Sequence, residues 1–216
     1  MQQYDPKRHH RKSIRLKGYD YSQAGLYFVT ICCQNRTYLF GEIINREMML
    51  NDAGQMIEKW YCELENKFLD IKCREMIVMP NHIHFIIQND PSVGTDLRVC
   101  PSNETVPCRP IVPERPVVPV APNEHANTMG EHTLGENTLG EHVGSPLHRV
   151  MQWFKTMTTN EYIRGVKNNN WQSFDGKLWQ RNYYEHIIRN DNAYQKISEY
   201  IINNPSKWTE DNLNNR

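Results

Sequence analysis

Apolar residues follow a strand-like pattern in three parts of the chain. The β-branched and aromatic segment from Leu26 to Cys33 favours a buried strand, and Tyr38 to Ile44 is predicted to form its neighbour. A third apolar run, from Ile77 to Ile87, predicts a central strand with a bulge or bend at Pro80 and Asn81. These segments together predict a sheet whose middle strands are apolar on both faces.

Helical spacing of apolar residues marks three further segments. The first helix follows Asn51 or Asp52 as its cap, the second runs from Leu147 to about Gly165, and the third from about Ala193 to Asn203. Residues 178–180 are predicted to form a short strand between the last two helices. This order of elements predicts an α+β fold, with helices packed on an antiparallel sheet.

Residues 90–146 differ in composition from both flanking parts of the chain. Eight prolines lie between Pro91 and Pro122, and a five-residue unit built around Thr-x-Gly-Glu then repeats from Thr128 to His142. One apolar side chain per unit is too little to offset the entropy of ordering the chain. We therefore predict a disordered insert that splits one domain into a first part, 1–89, and a second part, 147–216.

The formal net charge of zero conceals an uneven distribution. The insert carries eight acids and three arginines, a net charge of −5, so the remainder carries +5. Much of that excess lies in a basic run near the N-terminus, at Lys7, Arg8, Arg11, Lys12, Arg15 and Lys17. Such a run suits a phosphate backbone, but composition alone fits a solvated tail equally well.

Nothing in the sequence has the length and hydropathy of a membrane span, and the first residues lack the apolar region of a signal peptide. We therefore expect a cytoplasmic protein with no membrane partner. The six cysteines contain no Cys-x-x-Cys pair and are expected to be reduced thiols.

The third apolar run contains two histidines, His82 and His84, separated by Ile83. Side chains two positions apart in a strand project from the same face, so both imidazoles could bind one metal ion. Alternatively, both rings could be satisfied by neighbouring groups within the fold. The pair alone favours neither interpretation.

The last predicted helix contains Tyr200 and Asn204, which lie one turn apart on one face. A deprotonated tyrosine is a nucleophile, and an amide oxygen is a ligand for a hard cation. Periodicity by itself favours a structural interpretation, in which Tyr200 extends the apolar stripe of Ile197 and Ile201, and Asn204 caps the helix.

Five sequence blocks, taken together and in this order, resemble the single-tyrosine HUH transposases, in particular the REP-associated tyrosine transposases. The blocks are residues 11–21, 27–30, 78–84, 178–190 and 200–205. The resemblance implies the ferredoxin-like antiparallel sheet of the HUH endonuclease fold. In that family the domain is compact, so the insert is a departure from the pattern.

The resemblance also implies the residues of the site. Tyr200 corresponds to the catalytic nucleophile, with nearby Tyr183, Tyr184 and Tyr194 as competitors. The implied metal ligands are His82, His84 and Asn204, for a divalent cation such as Mg²⁺ or Mn²⁺. The residues expected to contact DNA are Arg11, Lys12, Arg15, Lys17, His186 and Arg189.

The implied activity is cleavage and rejoining of single-stranded DNA next to hairpins, through a 5′-phosphotyrosine intermediate. A non-catalytic protein that binds DNA hairpins on the same fold is the alternative. A replication-initiator-type nickase would be favoured by an attached helicase domain. The resemblance leaves monomer and homodimer open.

Overall fold

The computed structural model describes residues 18–91 and 146–214. Within them lie strands β1 (Gly25–Cys32), β2 (Gly41–Ile44), β3 (Glu47–Leu50), β4 (Ile71–Met79), β5 (His82–Asn89) and β6 (Tyr184–Ile188). The helices are α1 (Asp52–Lys67), α2 (Leu147–Asn168) and α3 (Asp191–Asn203), with short 3-10 helices at Gln34–Arg36 and Pro205–Glu210. The basic N-terminal run and the predicted disorder of residues 92–145 lie outside the described residues.

The main sheet has four strands in the order β4-β5-β1-β6, and every neighbouring pair is antiparallel. Along the chain these strands alternate with α1 and α2 as strand, helix, strand, strand, helix, strand. This order and connectivity define a ferredoxin-like sheet. The predicted α+β architecture with helices on an antiparallel sheet is thus confirmed.

The two faces of the sheet are covered differently. On one face, apolar residues of β1 and β5 such as Val29, Ile31 and Phe85 pack in the main core with α1 and α2. On the other face, a smaller cluster joins Phe28 of β1 to Ile201 of α3. Because side chains alternate along a strand, the second face also receives His82 and His84.

The prediction that residues 38–44 pair with β1 is wrong. β2 pairs with β3 in a separate two-stranded sheet, because β5 and β6 already occupy both edges of β1. The chain leaves β1 through Asn35 and Arg36, which both adopt positive φ angles. The backbone amides of Leu39 and Phe40 then donate to the Pro80 carbonyl, outside the main sheet.

Two further strand predictions need correction. Pro80 and Asn81 do not bend one strand but form the turn of a hairpin, in which Met79 of β4 pairs with His82 of β5. Residues 178–180 contribute only an isolated bridge between Trp179 and Cys33. The fourth strand of the sheet is β6, which the sequence pattern did not indicate.

The helices follow the sequence more closely. Asn51 is the cap of α1, and its side-chain oxygen accepts from the Gly54 amide at 2.9 Å. α3 ends at Asn203 as predicted and begins at Asp191, two residues before its predicted start. α2 continues past its predicted end at Gly165 to Asn168. The glycine there does not end the helix but makes room for Trp171, since a Cβ would lie 2.2 Å from that ring. In the described residues no helix combines the length and apolar character needed to cross a membrane.

Candidate metal centre and nucleophile

The two histidines of β5 form the centre of the site. Both side chains are buried, and the Nε2 atoms of His82 and His84 lie 3.0 Å apart. Nitrogens at this separation share either one proton or one cation, because two lone pairs facing each other would repel. The geometry therefore brings together the two imidazoles that the His-x-His spacing suggested.

Asn81 determines which ring nitrogen of His82 carries the proton. Its amide nitrogen donates to the carbonyls of Arg36, at 3.2 Å, and Leu213, at 2.8 Å, so its oxygen faces the ring. That oxygen lies 2.7 Å from Nδ1 of His82 and accepts a hydrogen bond from it, so Nδ1 carries the ring proton. The neutral ring then carries its lone pair on Nε2, directed at His84.

Thr30 contacts the second histidine. Its hydroxyl lies 2.7 Å from Nδ1 of His84, in a buried position. A hydroxyl can donate or accept, so this contact is compatible with either tautomer of the ring. When Thr30 accepts, Nε2 of His84 is unprotonated, and both histidines present a lone pair to the same point.

Burial keeps both imidazoles neutral. It lowers the pKa of His84 to about 3, and it lowers the pKa of His82 well below its ordinary value, with the neighbouring His84 contributing. A neutral imidazole is the form that binds metal ions. Near neutral pH the pair is therefore ready to coordinate without first losing a proton.

Asp211 completes the centre, and sequence reasoning missed it. Its Oδ2 atom lies 3.9 Å from Nε2 of His82 and is buried with no hydrogen-bond partner, while Oδ1 accepts from the Leu213 amide. The potential ligand atoms of Asp211, His82 and His84 all lie within 4.8 Å of one another. A buried carboxylate oxygen without a partner beside two imidazole lone pairs fits a divalent cation.

The C-terminal segment that carries Asp211 is tied to the hairpin turn and to the loop after β1. Arg36 donates to the Asn212 carbonyl at 2.9 Å, and the Tyr38 hydroxyl donates to the side chain of Asn214. The ring of Trp208 packs between Tyr38 and His82. No short-range sequence pattern signals such contacts, which explains why Asp211 was not found.

Tyr200 of α3 lies beside the pair. Its hydroxyl is 3.3 Å from Nε2 of His84, and its ring contacts those of His84 and Phe28. The side chain is 42% exposed, so a substrate can reach it. Burial, followed by the charge of Asp211, raises the pKa of Tyr200, whereas the amide of Asn204 acts in the opposite direction.

Asn204 lies where α3 meets the following 3-10 helix. Its backbone closes α3 by donating to the Ile201 carbonyl, and its side chain makes no cap hydrogen bond with the 3-10 helix. The side chain is buried, and its Oδ1 atom has no hydrogen-bond partner. An orphaned oxygen of this kind suits the ligand role that the resemblance implies, which stays a prediction.

The other residues predicted for the site lie around this centre. The Tyr194 hydroxyl donates to the carboxylate of Glu75 and lies 2.8 Å from both of its oxygens. Tyr184 is exposed and its ring contacts Phe28. His186, opposite Phe28 in the sheet, and Arg189 are both exposed and available to a ligand.

Fold and site together define a class: a ferredoxin-like α+β protein with two histidines and a carboxylate on one sheet face, and a tyrosine beside them. The chain is 35% identical over 205 residues to an uncharacterized protein of Haemophilus influenzae, a match that covers 95% of this chain and 93% of that protein. It belongs to the same family as the Haemophilus protein. No family model matches the sequence.

Two solved structures are similar to this chain. One is a REP-associated tyrosine transposase bound to a REP hairpin, with a TM-score of 0.46 and 16% identity over 91% of this chain and 74% of that one. The other is a Deinococcus radiodurans R1 protein with a provisional assignment as a transposase. It matches with a TM-score of 0.39 and 11% identity, over 88% of this chain and 97% of that one.

Proposed function

We propose that this protein is a single-tyrosine HUH transposase, which cleaves and rejoins single-stranded DNA next to hairpins. The observation that carries the proposal is the position of Tyr200, whose hydroxyl lies 3.3 Å from Nε2 of His84. A nucleophilic side chain at a metal-type histidine pair is what phosphoryl transfer to an enzyme residue requires. The motif resemblance of the sequence supports the same conclusion.

In the proposed reaction, Tyr200 Oη attacks the scissile phosphorus and forms an Oη–P bond. The P–O3′ bond breaks, so the products are a 5′-phosphotyrosine and a strand that ends in a 3′-hydroxyl. The phenol proton leaves to solvent, which reaches Tyr200 through its exposed side, and the departing 3′-oxygen takes up one proton from solvent. Because one phosphoester replaces another, the 3′-hydroxyl can reverse the step and rejoin DNA without an external energy source.

His82, His84 and Asp211 are the residues that would hold a divalent cation, with the Asn204 oxygen as the further ligand implied by the resemblance. Such a cation, when bound, supplies a Lewis acid that polarises the phosphoryl oxygens. Two imidazole donors together with oxygen donors suit Mn²⁺ better than Mg²⁺, which prefers oxygen ligands throughout. Positions not filled by protein remain for the substrate.

A covalent-adduct assay tests the proposal. The protein is incubated with Mn²⁺ and a labelled DNA hairpin that carries single-stranded flanks, and the products are separated on a denaturing gel. We expect a labelled protein band for the wild type and none for Tyr200→Phe, because phenylalanine has no nucleophilic oxygen. Tyr184→Phe, which removes a neighbouring exposed hydroxyl, is the matched control and should still form the adduct.

Each other outcome has a definite meaning. An adduct that forms equally well with Tyr200→Phe would remove Tyr200 from the role of nucleophile. Hairpin binding without any adduct, across a library of flanking sequences, would favour the non-catalytic hairpin-binding alternative on the same fold.

A further inference from the structure

A second cleft, of about 830 Å³, lies between α2 and the segment 174–183. We call it the α2 cleft. The described residues that line it include Lys155, Lys177 and Arg181, together with His148, and no aspartate or glutamate. The charged side chains of its lining are therefore all basic, in a chain whose formal net charge is zero. This charge suits a polyanion rather than a neutral or cationic ligand.

Lys155 holds the wall of the α2 cleft in place. Its ammonium donates to the backbone carbonyls of Gln180, at 2.6 Å, and Arg181, at 3.0 Å, and so ties the segment to α2. An ammonium has three N–H donors, so one remains for an acceptor within the cleft. Burial lowers the pKa of Lys155 to about 8, which leaves it mostly protonated at neutral pH.

The α2 cleft adjoins the pocket that contains the candidate site. Gln180 and Tyr183 line the α2 cleft, and the same two residues line a pocket of about 750 Å³ that contains His84, Tyr200 and Asp211. A flexible polymer fixed at Tyr200 would therefore have to pass only Gln180 and Tyr183 to reach the basic residues of the α2 cleft. A compact ligand such as free phosphate would have no need of this connection.

We infer that the α2 cleft binds the phosphate backbone of the single strand that adjoins the cleaved phosphodiester. This inference rests on the proposed function and extends it to the substrate beyond the scissile bond. A single strand is favoured over a duplex stem because it is flexible enough to turn from the face of the sheet that carries Tyr200 toward α2. Grooves that track a backbone with basic side chains are typical of single-strand binding.

Charge removal at the exposed residues of the cleft tests the inference. The variant Lys177→Gln/Arg181→Gln is made in a Tyr200→Phe background, so that binding is measured without cleavage. The matched control, Arg164→Gln/Lys167→Gln, removes two exposed charges from the same helix region, outside the cleft lining. The probes are a labelled hairpin with an oligothymidine tail and the same hairpin with blunt ends.

Fluorescence anisotropy at several salt concentrations gives the affinities. We expect the cleft variant to bind the tailed hairpin about tenfold more weakly than its parent. The slope of the logarithm of the binding constant against the logarithm of the salt concentration should become less steep by about 1.4, the value for two phosphate contacts on a single strand. The blunt hairpin should bind parent and variant alike, and the control variant should match its parent with both probes.

An unchanged affinity for the tailed probe would overturn the inference. An equal loss with the blunt hairpin, or an equal loss in the control variant, would overturn it as well, because the effect would then belong to the stem or to overall charge. The adduct assay with intact Tyr200 reports on the proposed function separately. A tail-specific loss without any adduct would retain the cleft as a binding site and reject the chemistry.

Discussion

At the scale of single residues, the site depends on groups that burial leaves with few partners. The side chain of Asn81 accepts a hydrogen bond from Nδ1 of His82 and donates to two backbone carbonyls. Its contact with Nδ1 leaves the lone pair of His82 on Nε2, facing His84. Asp211 offers an oxygen that no hydrogen bond uses. Isolating such groups from water costs free energy, which binding of a cation would recover.

Asp211→Asn tests the role of that carboxylate. The substitution keeps the size of the side chain and an oxygen, but removes the negative charge that favours a cation. We expect Mn²⁺ affinity, measured by calorimetry, to fall by at least about tenfold, as it does when groups around a metal are altered. Thermal stabilisation of the protein by added Mn²⁺ should shrink in parallel.

Glu210→Gln is the control for the loss of one charge next to Asp211, because Glu210 is exposed and outside the cluster of potential ligands. It should leave Mn²⁺ binding unchanged. If Asp211→Asn bound Mn²⁺ as tightly as the wild type, the carboxylate would be excluded as a ligand, and Asn204 would be the next oxygen donor to substitute.

At the scale of elements, α3 carries the proposed nucleophile but buries few of its own side chains. Within the helix only Ser198 and Ile201 are buried. A polar contact supplements this packing, since the Tyr194 hydroxyl donates to the carboxylate of Glu75 on β4. The position of Tyr200 relative to His84 therefore depends on a small apolar cluster and one charged hydrogen bond.

Tyr194→Phe should loosen α3 without removing the proposed nucleophile, Tyr200. A hydrogen bond to a charged group at this partly exposed position stabilises docking by about 1 kcal/mol. We expect faster hydrogen exchange of the α3 amides and an adduct rate reduced by no more than about fivefold. Loss of all adduct with α3 exchange unchanged would instead identify Tyr194 as the reacting tyrosine.

Local signals predicted some elements well and others not at all. The cap of α1, predicted at Asn51 or Asp52, and the end of α3 at Asn203 are encoded within one helical turn of sequence, so they could be predicted. The pairing of β2 with β3, and the place of β6 at the sheet edge, depend on which strand edges other segments occupy. No local propensity carries that information.

At the scale of the whole molecule, β5 ends at Asn89 and α2 begins at Leu147, so the insert predicted at residues 90–146 falls between two complete elements. Every residue of the candidate centre comes from outside this range, on β1, β5, α3 and the C-terminal segment. Among the described residues, all the side chains to which the proposed reaction gives a role therefore lie outside the insert.

Replacing residues 92–145 with a flexible Gly/Ser linker of about twenty residues tests this independence. Because the cost of closing a loop changes only slowly with its length, we expect far-UV circular dichroism and thermal midpoint to be close to wild type. The covalent adduct should form at the wild-type rate. A folded variant that forms no adduct would show that the insert contributes to the reaction or to DNA binding.

The sequence by itself determined the histidine pair on one strand face, the position of Tyr200 on the last helix, and the α+β class, because strand and helix periodicity are local properties. Tertiary structure alone decided that α3 docks on that face and that Asp211 joins the histidines. Asp211 arrives there through contacts between the C-terminal segment and residues near positions 36 and 81, more than a hundred positions away. Such contacts depend on the packed fold, and no periodic pattern encodes them.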